Sequence, residues 1–333
     1  MEAKTNILIT GSTGFIGSSV FRELLKNKNN YFFLLIREES NVKRINNFLD
    51  TERVKIFFFK DLEKIFKINN IDFVLHLGTN YIKFDEPNDH KSLTDDNISK
   101  PSKILDLSVK YKARGFINTG TFFEVDDNES FVTEQSNIKP YNFYAKTKVK
   151  FQQYLDSSCD EINSVTLRLF SPYGPDDNQK VIPFITKAFL KNIDFEIENP
   201  HINCDFTYVE DIALAYKKAI QKIDEGFELP SLINICSGQF YTLNEIIKIL
   251  KSISRSKINP KFRNNTKIPV KRSSNKLANE ILGWNSNTSI NDGLLSTYNF
   301  YNQNNCEHRE ILIHKKQSKG AMTLNNNIRN SSD

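Results

Sequence analysis

Cysteine is scarce in this 333-residue sequence, and neither a CxxC motif nor a compact disulfide-type spacing occurs. The four cysteines, Cys159, Cys204, Cys236 and Cys306, are therefore expected to be reduced thiols, which predicts a cytoplasmic protein. Histidine is scarce as well. The five histidines have no paired His/Cys spacing, so we expect no metal site.

Long hydrophobic runs and a strong charge of one sign are also missing. Apolar runs such as residues 31–36 and 56–59 are far shorter than the roughly 18 residues that cross a bilayer, so we expect no membrane association. We expect no signal peptide, because no basic, apolar and cleavage-site series precedes the first apolar run. The 45 basic and 40 acidic residues are spread along the chain, which does not favour a nucleic-acid partner.

The residues that are present indicate a globular α/β protein. Hydrophobic residues make up 39% of the sequence and charged residues 26%, which is typical of folded soluble chains. Apolar runs at Asn6–Thr10, Tyr31–Ile36 and Phe73–Leu77 alternate with helical patterns such as Ile16–Lys26. The alternation continues as far as Phe170 and predicts a doubly wound parallel sheet.

The regular alternation ends after Gly174-Pro175, where short helical and strand patterns predict a smaller α/β lobe that is interleaved with the sheet domain. The end of the chain is rich in Asn, Lys and Ser, and we expect it to be disordered. The expected division is 1–174 with 206–238 for the sheet domain, 175–205 with 239–301 for the substrate-binding lobe, and 302–333 for the tail.

A glycine-rich segment connects the first apolar run to the first helical pattern. Its spacing is GxxGxxG: Gly11 permits a tight turn, Gly14 lets backbone N–H groups approach a pyrophosphate, and Gly17 lets helix and strand pack closely. The helix N-terminus then faces the anion. The segment predicts a Rossmann-type dinucleotide site with Gly11, Thr13, Gly14, Phe15, Ile16 and Gly17 as cofactor-binding residues.

The residue that ends the second apolar run is expected to select the cofactor. An acid at this place accepts the ribose 2′-OH of NAD, whereas a base favours the 2′-phosphate of NADP. Arg37 stands there, and the first acid is Glu38. We therefore favour NADP(H) and keep NAD(H) as the alternative, since Arg37 could also stack on adenine or be solvated.

Tyr144 and Lys148 form the only YxxxK motif of the chain, at the start of a predicted helix that follows Pro140. Residues four apart share one face of a helix. A nearby ammonium and a nicotinamide would lower the pKa of the tyrosine, so that it can exchange a proton while hydride moves. A hydroxyl cluster, Thr119 and Thr121, precedes this helix.

The order of strand, hydroxyl cluster, loop and YxxxK helix resembles the short-chain dehydrogenase/reductase superfamily. Later segments resemble its extended, nucleotide-sugar branch: Asp72–Gly78, Arg168–Pro175, Asp205–Ala213, Asn234–Gly238 and Leu282–Trp284. The resemblance covers about residues 6–300. It implies Thr121, Tyr144 and Lys148 as catalytic residues and additional cofactor contacts from Asp61, Leu62, Leu77, Gly78, Asn97, Thr119, Tyr144 and Lys148.

The residues beside Thr121 bear on the reaction. Dehydratases of this branch have an Asp-Glu pair directly after the catalytic threonine, but here Phe122 and Phe123 follow, so dehydration is not expected. The segment looks most like the abequose and paratose synthases, which are NADPH-dependent reductases of a CDP-4-keto-3,6-dideoxyhexose. The alternatives are a 4-epimerase with tightly bound NAD and a non-catalytic NAD(P)-binding protein.

Three positions concern the substrate diphosphate. Many relatives have an arginine before the Asp-Phe pair, whereas this chain has Cys204. Arg263 matches a second diphosphate-binding arginine of the family, and Arg272 could share the anion, although each could also be a solvated surface residue. The resemblance further suggests a homodimer that forms through the helices containing Lys103 and Tyr144.

Overall fold

The computed structural model describes residues 4–82, 85–126, 128–177, 180–263 and 272–303. The strands are β1 (Thr5–Thr10), β2 (Asn30–Ile36), β3 (Val54–Phe58), β4 (Phe73–His76), β5 (Gly115–Thr121), β6 (Phe131–Val132), β7 (Asn163–Leu169), β8 (Glu196–Glu198), β9 (Asn203–Cys204), β10 (Leu232–Ile235), β11 (Tyr241–Thr242), β12 (Lys261–Arg263) and β13 (Arg272–Ser273). The helices are α1 (Phe15–Leu25), α2 (Leu62–Ile68), α3 (His90–Thr94), α4 (Lys100–Lys110), α5 (Phe143–Asp156), α6 (Val181–Lys191), α7 (Val209–Asp224), α8 (Leu243–Ser254), α9 (Lys276–Leu282) and α10 (290–303).

A seven-stranded parallel sheet in the order β10-β7-β5-β4-β1-β2-β3 forms the centre of the protein. The chain runs outward from β1 to β3 and then returns to build the other half from β4 to β10. The point where the direction reverses lies beside β1, and ligands of such sheets bind at this point. The predicted doubly wound α/β fold is confirmed, and the four predicted elements from Asn6 to Leu77 agree with the structure within one residue.

Both faces of the sheet are buried, which explains why its strands are almost continuously apolar. Along β1 the side chains alternate between the faces: Ile7 and Ile9 belong to one core cluster and Leu8 belongs to the other. The first cluster is covered by residues of α1 and α7, including Phe21. The second is covered by α2, α4 and α5, with Phe151 as an example.

A third core cluster lies outside the sheet. It joins residues of α6, such as Ile185, to residues of α8, such as Leu250, and to Leu294 of α10. Short strand pairs extend this region, with β8 beside β12 and β9 beside β11. Two separate stretches of chain therefore meet in one small core, which corresponds to the smaller lobe predicted from the sequence.

The Leu282–Trp284 segment attaches the end of α9 to α7. Gly283 adopts a positive φ of 59°, which ends the helix, and the Trp284 indole N–H donates to the carbonyl oxygen of Asp211 at 2.7 Å. Residues 302 and 303 belong to α10, so the expected disordered tail does not begin at residue 302; residues 304–333 lie outside the described part of the chain. None of the described helices is long and apolar enough to cross a membrane.

Candidate active site

A cavity of about 1640 Å³ opens at the carboxyl ends of β1, β2, β4, β5 and β7. Its volume exceeds the usual ~300–1,000 Å³ of a site for one small ligand, so it has room for two large molecules. It extends from the glycine-rich turn to residues of the smaller core. The predicted cofactor residues that line it are Gly11, Thr13, Gly14, Phe15, Ile16, Gly17, Arg37, Leu77, Gly78, Thr119 and Tyr144.

The glycine-rich turn forms a cradle that only glycine permits. Gly11 has a φ of +71°, and a Cβ there would lie 2.5 Å from the backbone nitrogen of Gly78. A Cβ at Gly17 would overlap the carbonyl oxygen of Gly11. Gly14 precedes α1 and provides no side-chain cap, so the first N–H groups of the helix face the cavity. These features fit the pyrophosphate of a dinucleotide.

The far end of the cavity, beyond β2, is rich in cationic side chains. Arg37 is 71% exposed and lies 3.4 Å from Glu39, whereas Glu38 is paired with Lys60 at 2.5 Å. Arg44 donates to the carbonyl oxygen of Thr13 at 3.3 Å, which brings a second guanidinium to the glycine-rich turn. The two acids that follow Arg37 are therefore both engaged in exposed ion pairs, Glu38 with Lys60 and Glu39 with Arg37.

Four of the predicted cofactor residues do not belong to the cavity lining. Asp61 lies just before α2, and Leu62 is a buried core residue, whereas Phe58, Phe59 and Lys60 line the cavity instead. The buried Asn97 accepts hydrogen bonds from Thr79 and Asn80, which are lining residues, so it supports the wall from behind. The fourth residue, Lys148, is buried.

The three predicted catalytic residues meet at one side of the cavity. Thr121 ends β5, and Tyr144 lies in the first turn of α5, which begins where Asn142 accepts the Ala145 N–H at 2.9 Å. Thr121 and Tyr144 line the cavity, and Lys148, one helical turn further, is buried behind them. The spacing of the YxxxK motif thus places both residues on the same face of α5.

On balance the chain's own groups raise the pKa of Tyr144, whereas the lowering expected from the sequence depends on a nicotinamide as well as on the lysine. Burial raises this pKa, the charge of Glu124 raises it further, and a hydrogen bond with Thr79 opposes the rise. Burial also lowers the pKa of Lys148 to about 8, and that of His76 to about 3. Tyr144 is therefore held protonated, as a proton donor must be.

A family model for the "NAD dependent epimerase/dehydratase family" matches residues 7–236, more than half of the chain. The chain belongs to this family. The expected extended short-chain dehydrogenase/reductase enzyme is thereby confirmed. The cofactor of such enzymes is a nicotinamide dinucleotide, which supplies or accepts hydride when it is bound.

Curated members of the family are similar over most of their length. A CDP-abequose synthase of Salmonella muenchen is 26% identical over 78% of this chain and 85% of its own. A dTDP-4-dehydro-6-deoxyglucose reductase of Escherichia coli is 24% identical over 88% of this chain and 97% of its own. The expected likeness to abequose synthases is confirmed, since a second one, from Salmonella typhimurium, is 25% identical.

Solved structures of family members share the fold. A UDP-glucuronic acid 4-epimerase of Bacillus cereus, solved with UDP-glucuronic acid and NAD, has a TM-score of 0.82 and 23% identity, covering 90% of this chain and 99% of its own. A UDP-glucose 4-epimerase of Thermotoga maritima has a TM-score of 0.80 at 23% identity and the same coverage. At this identity the likeness establishes the Rossmann-type architecture.

The family's Asp-Phe segment has a structural role here. The carboxylate of the buried Asp205 accepts the N–H groups of Ser237 and Gly238, at 2.7 and 2.9 Å, and the hydroxyl of Ser273 at 2.7 Å. It therefore ties the turn after β10 to β13. Cys204 lines the cavity beside it, and burial raises the pKa of this thiol to about 12, so no charge replaces the family's arginine.

Neither predicted substrate arginine is among the lining residues. Arg263 is exposed and lies 2.5 Å from Glu196, which does line the cavity, so it stands at the margin of the site. Arg272 belongs to β13, pairs with Phe131 of β6 and stacks over the ring of Phe240. Arg263 thus lies near the cavity, whereas Arg272 lies against Phe240 and does not line the cavity.

Two groups of residues beside Thr121 were given no role in the site from the sequence, although Phe122 and Phe123 served there as evidence against dehydration. The first is an aromatic wall beside Thr121, made of Phe122, Phe123, Tyr141 and Phe170, in which Phe122 and Phe123 stack at 4.3 Å. The second is Glu124, a buried acid whose Thr-x-x-Glu spacing from Thr121 is the signal that could have revealed it. Among the described residues, no cluster of three or more His, Cys, Asp or Glu side chains could hold a metal ion.

Lys148 should destabilise the folded protein below about pH 8, because its pKa falls from 10.5 on burial. We expect Lys148→Met to raise the free energy of unfolding at pH 7 by about 2–3 kcal/mol. The gain should disappear as the pH rises from 8 towards 10.5, where the folded protein no longer carries the buried charge. Urea unfolding without cofactor measures this, with the exposed Lys146→Met as control. An equal response of both variants would contradict the assignment.

Proposed function

We propose that this protein reduces the 4-keto group of a nucleotide-activated deoxysugar. The observation that carries the proposal is the surface next to the proton donor. Beside Thr121 and Tyr144 the cavity presents the aromatic wall, and the nearest acid, Glu124, is directed away from the cavity and bonded to Arg168. This surface suits hydrogen or methyl groups on the sugar and offers no carboxylate for water removal.

The roles of the chain's residues follow from their positions. The substrate carbonyl oxygen would lie between Thr121 and Tyr144, and Tyr144 would donate its proton to that oxygen. The Thr121 hydroxyl would hold the oxygen by a hydrogen bond, and the Lys148 ammonium would stabilise the phenolate that forms. The nicotinamide dinucleotide supplies hydride.

Curated relatives support the sugar class. The two abequose synthases carry CDP in their names, and the Escherichia coli reductase is named for a 4-dehydro-6-deoxy sugar, so a CDP-linked 4-keto sugar is our first choice. The competing candidate is a 4-epimerase that retains NAD, because a UDP-glucose 4-epimerase of Caenorhabditis elegans is 23% identical over 90% of this chain. We further propose that the enzyme works in the cytoplasm, in keeping with its free Cys159, Cys204 and Cys236.

The reductase should oxidise NADPH in the presence of a nucleotide-linked 4-keto-6-deoxy or 4-keto-3,6-dideoxy sugar. Absorbance of the reduced nicotinamide follows the reaction. Tyr144→Phe should lower kcat by at least about 100-fold, because the phenolic proton is lost, whereas the control Tyr141→Phe keeps the ring in the cavity wall and should retain activity. If no sugar of the panel is reduced and the purified protein carries NAD, the epimerase replaces the reductase.

We propose NADP(H) as the cofactor, and Arg37 is the residue on which this proposal depends. This side chain and Arg44 line the cavity beyond β2, and Glu38 is occupied by Lys60. Arg37→Ala should weaken NADPH binding by about 10-fold or more and leave NADH binding within about twofold, since a guanidinium bonds a phosphate more strongly than a hydroxyl. Calorimetric titration measures both constants. Arg53→Ala, outside the cavity, is the control, and an equal loss for both cofactors would contradict the proposal.

A homodimer through α4 and α5 is also proposed. The exposed surface of these helices includes Tyr154, together with Lys103, Lys110, Lys146 and Lys150. A two-fold axis would bring the lysines of both copies together, so salt should strengthen the dimer by screening their repulsion. Light scattering at low and high ionic strength measures the mass. A monomer at every salt concentration would exclude this dimer.

A further inference from the structure

We propose that Glu124 is a positioning residue for the reduction: its buried carboxylate, paired with Arg168, fixes the backbone of Thr121 and supplies the negative charge that acts on Tyr144 and Lys148. The inference rests on the proposed function, because it concerns the proton donation of that reaction. Glu124 lies outside the cavity lining and would touch neither substrate nor cofactor. It would act through the residues it holds.

Both oxygens of the Glu124 carboxylate have partners within 3.4 Å. Glu124 Oε1 accepts the backbone N–H of Thr121 at 2.8 Å, and Oε2 lies 3.4 Å from Arg168 Nε. The two charged side chains are only 4% and 2% exposed. A Cβ at Gly120 would lie 3.3 Å from Glu124 Oε1 and 2.8 Å from a methyl group of Thr166, so glycine leaves the space that the carboxylate occupies.

This arrangement orients the Thr121 hydroxyl. Its oxygen accepts the N–H of Phe123 at 3.4 Å, while the Thr121 N–H is bonded to Glu124. The hydroxyl hydrogen is thereby left to donate towards the cavity. Because the turn already holds the Thr121 hydroxyl in place, this donor does not have to reorient when negative charge develops on the substrate oxygen. Preorganised hydrogen bonds of this kind accelerate reactions.

The charge of Glu124 acts on the proton donor as well. After burial it is the largest cause of the raised pKa of Tyr144, and it opposes the burial that lowers the pKa of Lys148. The raised pKa of Tyr144 disfavours the phenolate, whereas the ammonium that Glu124 preserves on Lys148 stabilises it. Tyr81 adds to the rise at Tyr144, whereas Thr79 opposes it.

The partners of Glu124 offset part of the cost of burying its carboxylate. Burial raises the pKa of Glu124, and Arg168, the Thr121 N–H and Lys148 oppose that rise. His76, the other titratable group beside Lys148, is kept neutral by burial. Burying an unpaired carboxylate would lower the stability of the fold by several kcal/mol. The ion pair with Arg168 therefore makes it possible for a charged Glu124 to be buried beside the active site.

The deciding variant is Glu124→Gln, which keeps the shape of the side chain and an oxygen for the Thr121 N–H but removes the charge. We expect kcat at about pH 9 to fall by about 10-fold, with KM and cofactor affinity within about twofold, because less of the Lys148 ammonium that stabilises the Tyr144 phenolate remains. The alkaline limb of the kcat profile should move down by about one pH unit, since the pKa of Lys148 falls when the negative charge is removed.

A matched control separates this role from a structural one. Glu134→Gln removes another part-buried carboxylate, which accepts the Asn234 N–H at 2.9 Å and has no bond to Thr121. It should leave kcat and its pH profile unchanged. If Glu124→Gln behaves in the same way, or only lowers the melting temperature, Glu124 is merely structural and the proposal is overturned.

The positioning of Thr121 by Glu124 can also be measured without an active substrate, from the exchange rate of the Thr121 amide hydrogen. In Glu124→Ala/Arg168→Met both members of the buried ion pair are removed together, and the Thr121 amide loses its acceptor. Hydrogen exchange followed by mass spectrometry should show at least about 10-fold faster exchange at Thr121 than in the wild-type protein. Unchanged exchange would overturn the positioning role, whereas faster exchange without any keto-sugar reduction would reject only the proposed substrate.

Discussion

The close approach of α1 to β1 is the constraint on which the rest of the structure depends. Gly11 and Gly17 touch through their backbones, and Gly78 at the end of β4 packs against the same turn. This contact brings the N-terminus of α1 to the point where the sheet changes direction. A side chain at these positions would separate helix from sheet and close the cradle, so the site and the core share one packing requirement.

Charges are distributed differently at the two ends of the cavity. Beyond β2 the side chains are mainly cationic: Arg37 is exposed, and the part-buried Arg44 is paired with Asp176 near the glycine-rich turn. Beside β5 the visible surface is aromatic, and the charges lie behind it, in the pair of Glu124 and Arg168 and in Lys148. The first end suits a multiply charged nucleotide, and the second suits an apolar sugar edge near a proton donor.

Buried polar groups connect the sheet to the smaller lobe. Asp205 gathers donors from the turn after β10 and from Ser273, and Arg168 reaches both Glu124 and Asn234, at 3.4 Å each. Groups of this kind are costly unless every partner is present, so they require one particular arrangement of neighbouring strands. The catalytic side of β5 is therefore held by contacts that come from distant parts of the chain.

The sequence by itself determined the order of strands and helices, the glycine-rich turn and the Tyr144–Lys148 pair, because periodicity and i, i+4 spacing are local properties. Only the tertiary structure decided that Glu124 pairs with Arg168, 44 residues away, and that Glu38 is neutralised by Lys60. It also showed that the chain's own groups raise the pKa of Tyr144. Burial and distant charges set a pKa, and neither can be read from residues that are neighbours only in sequence.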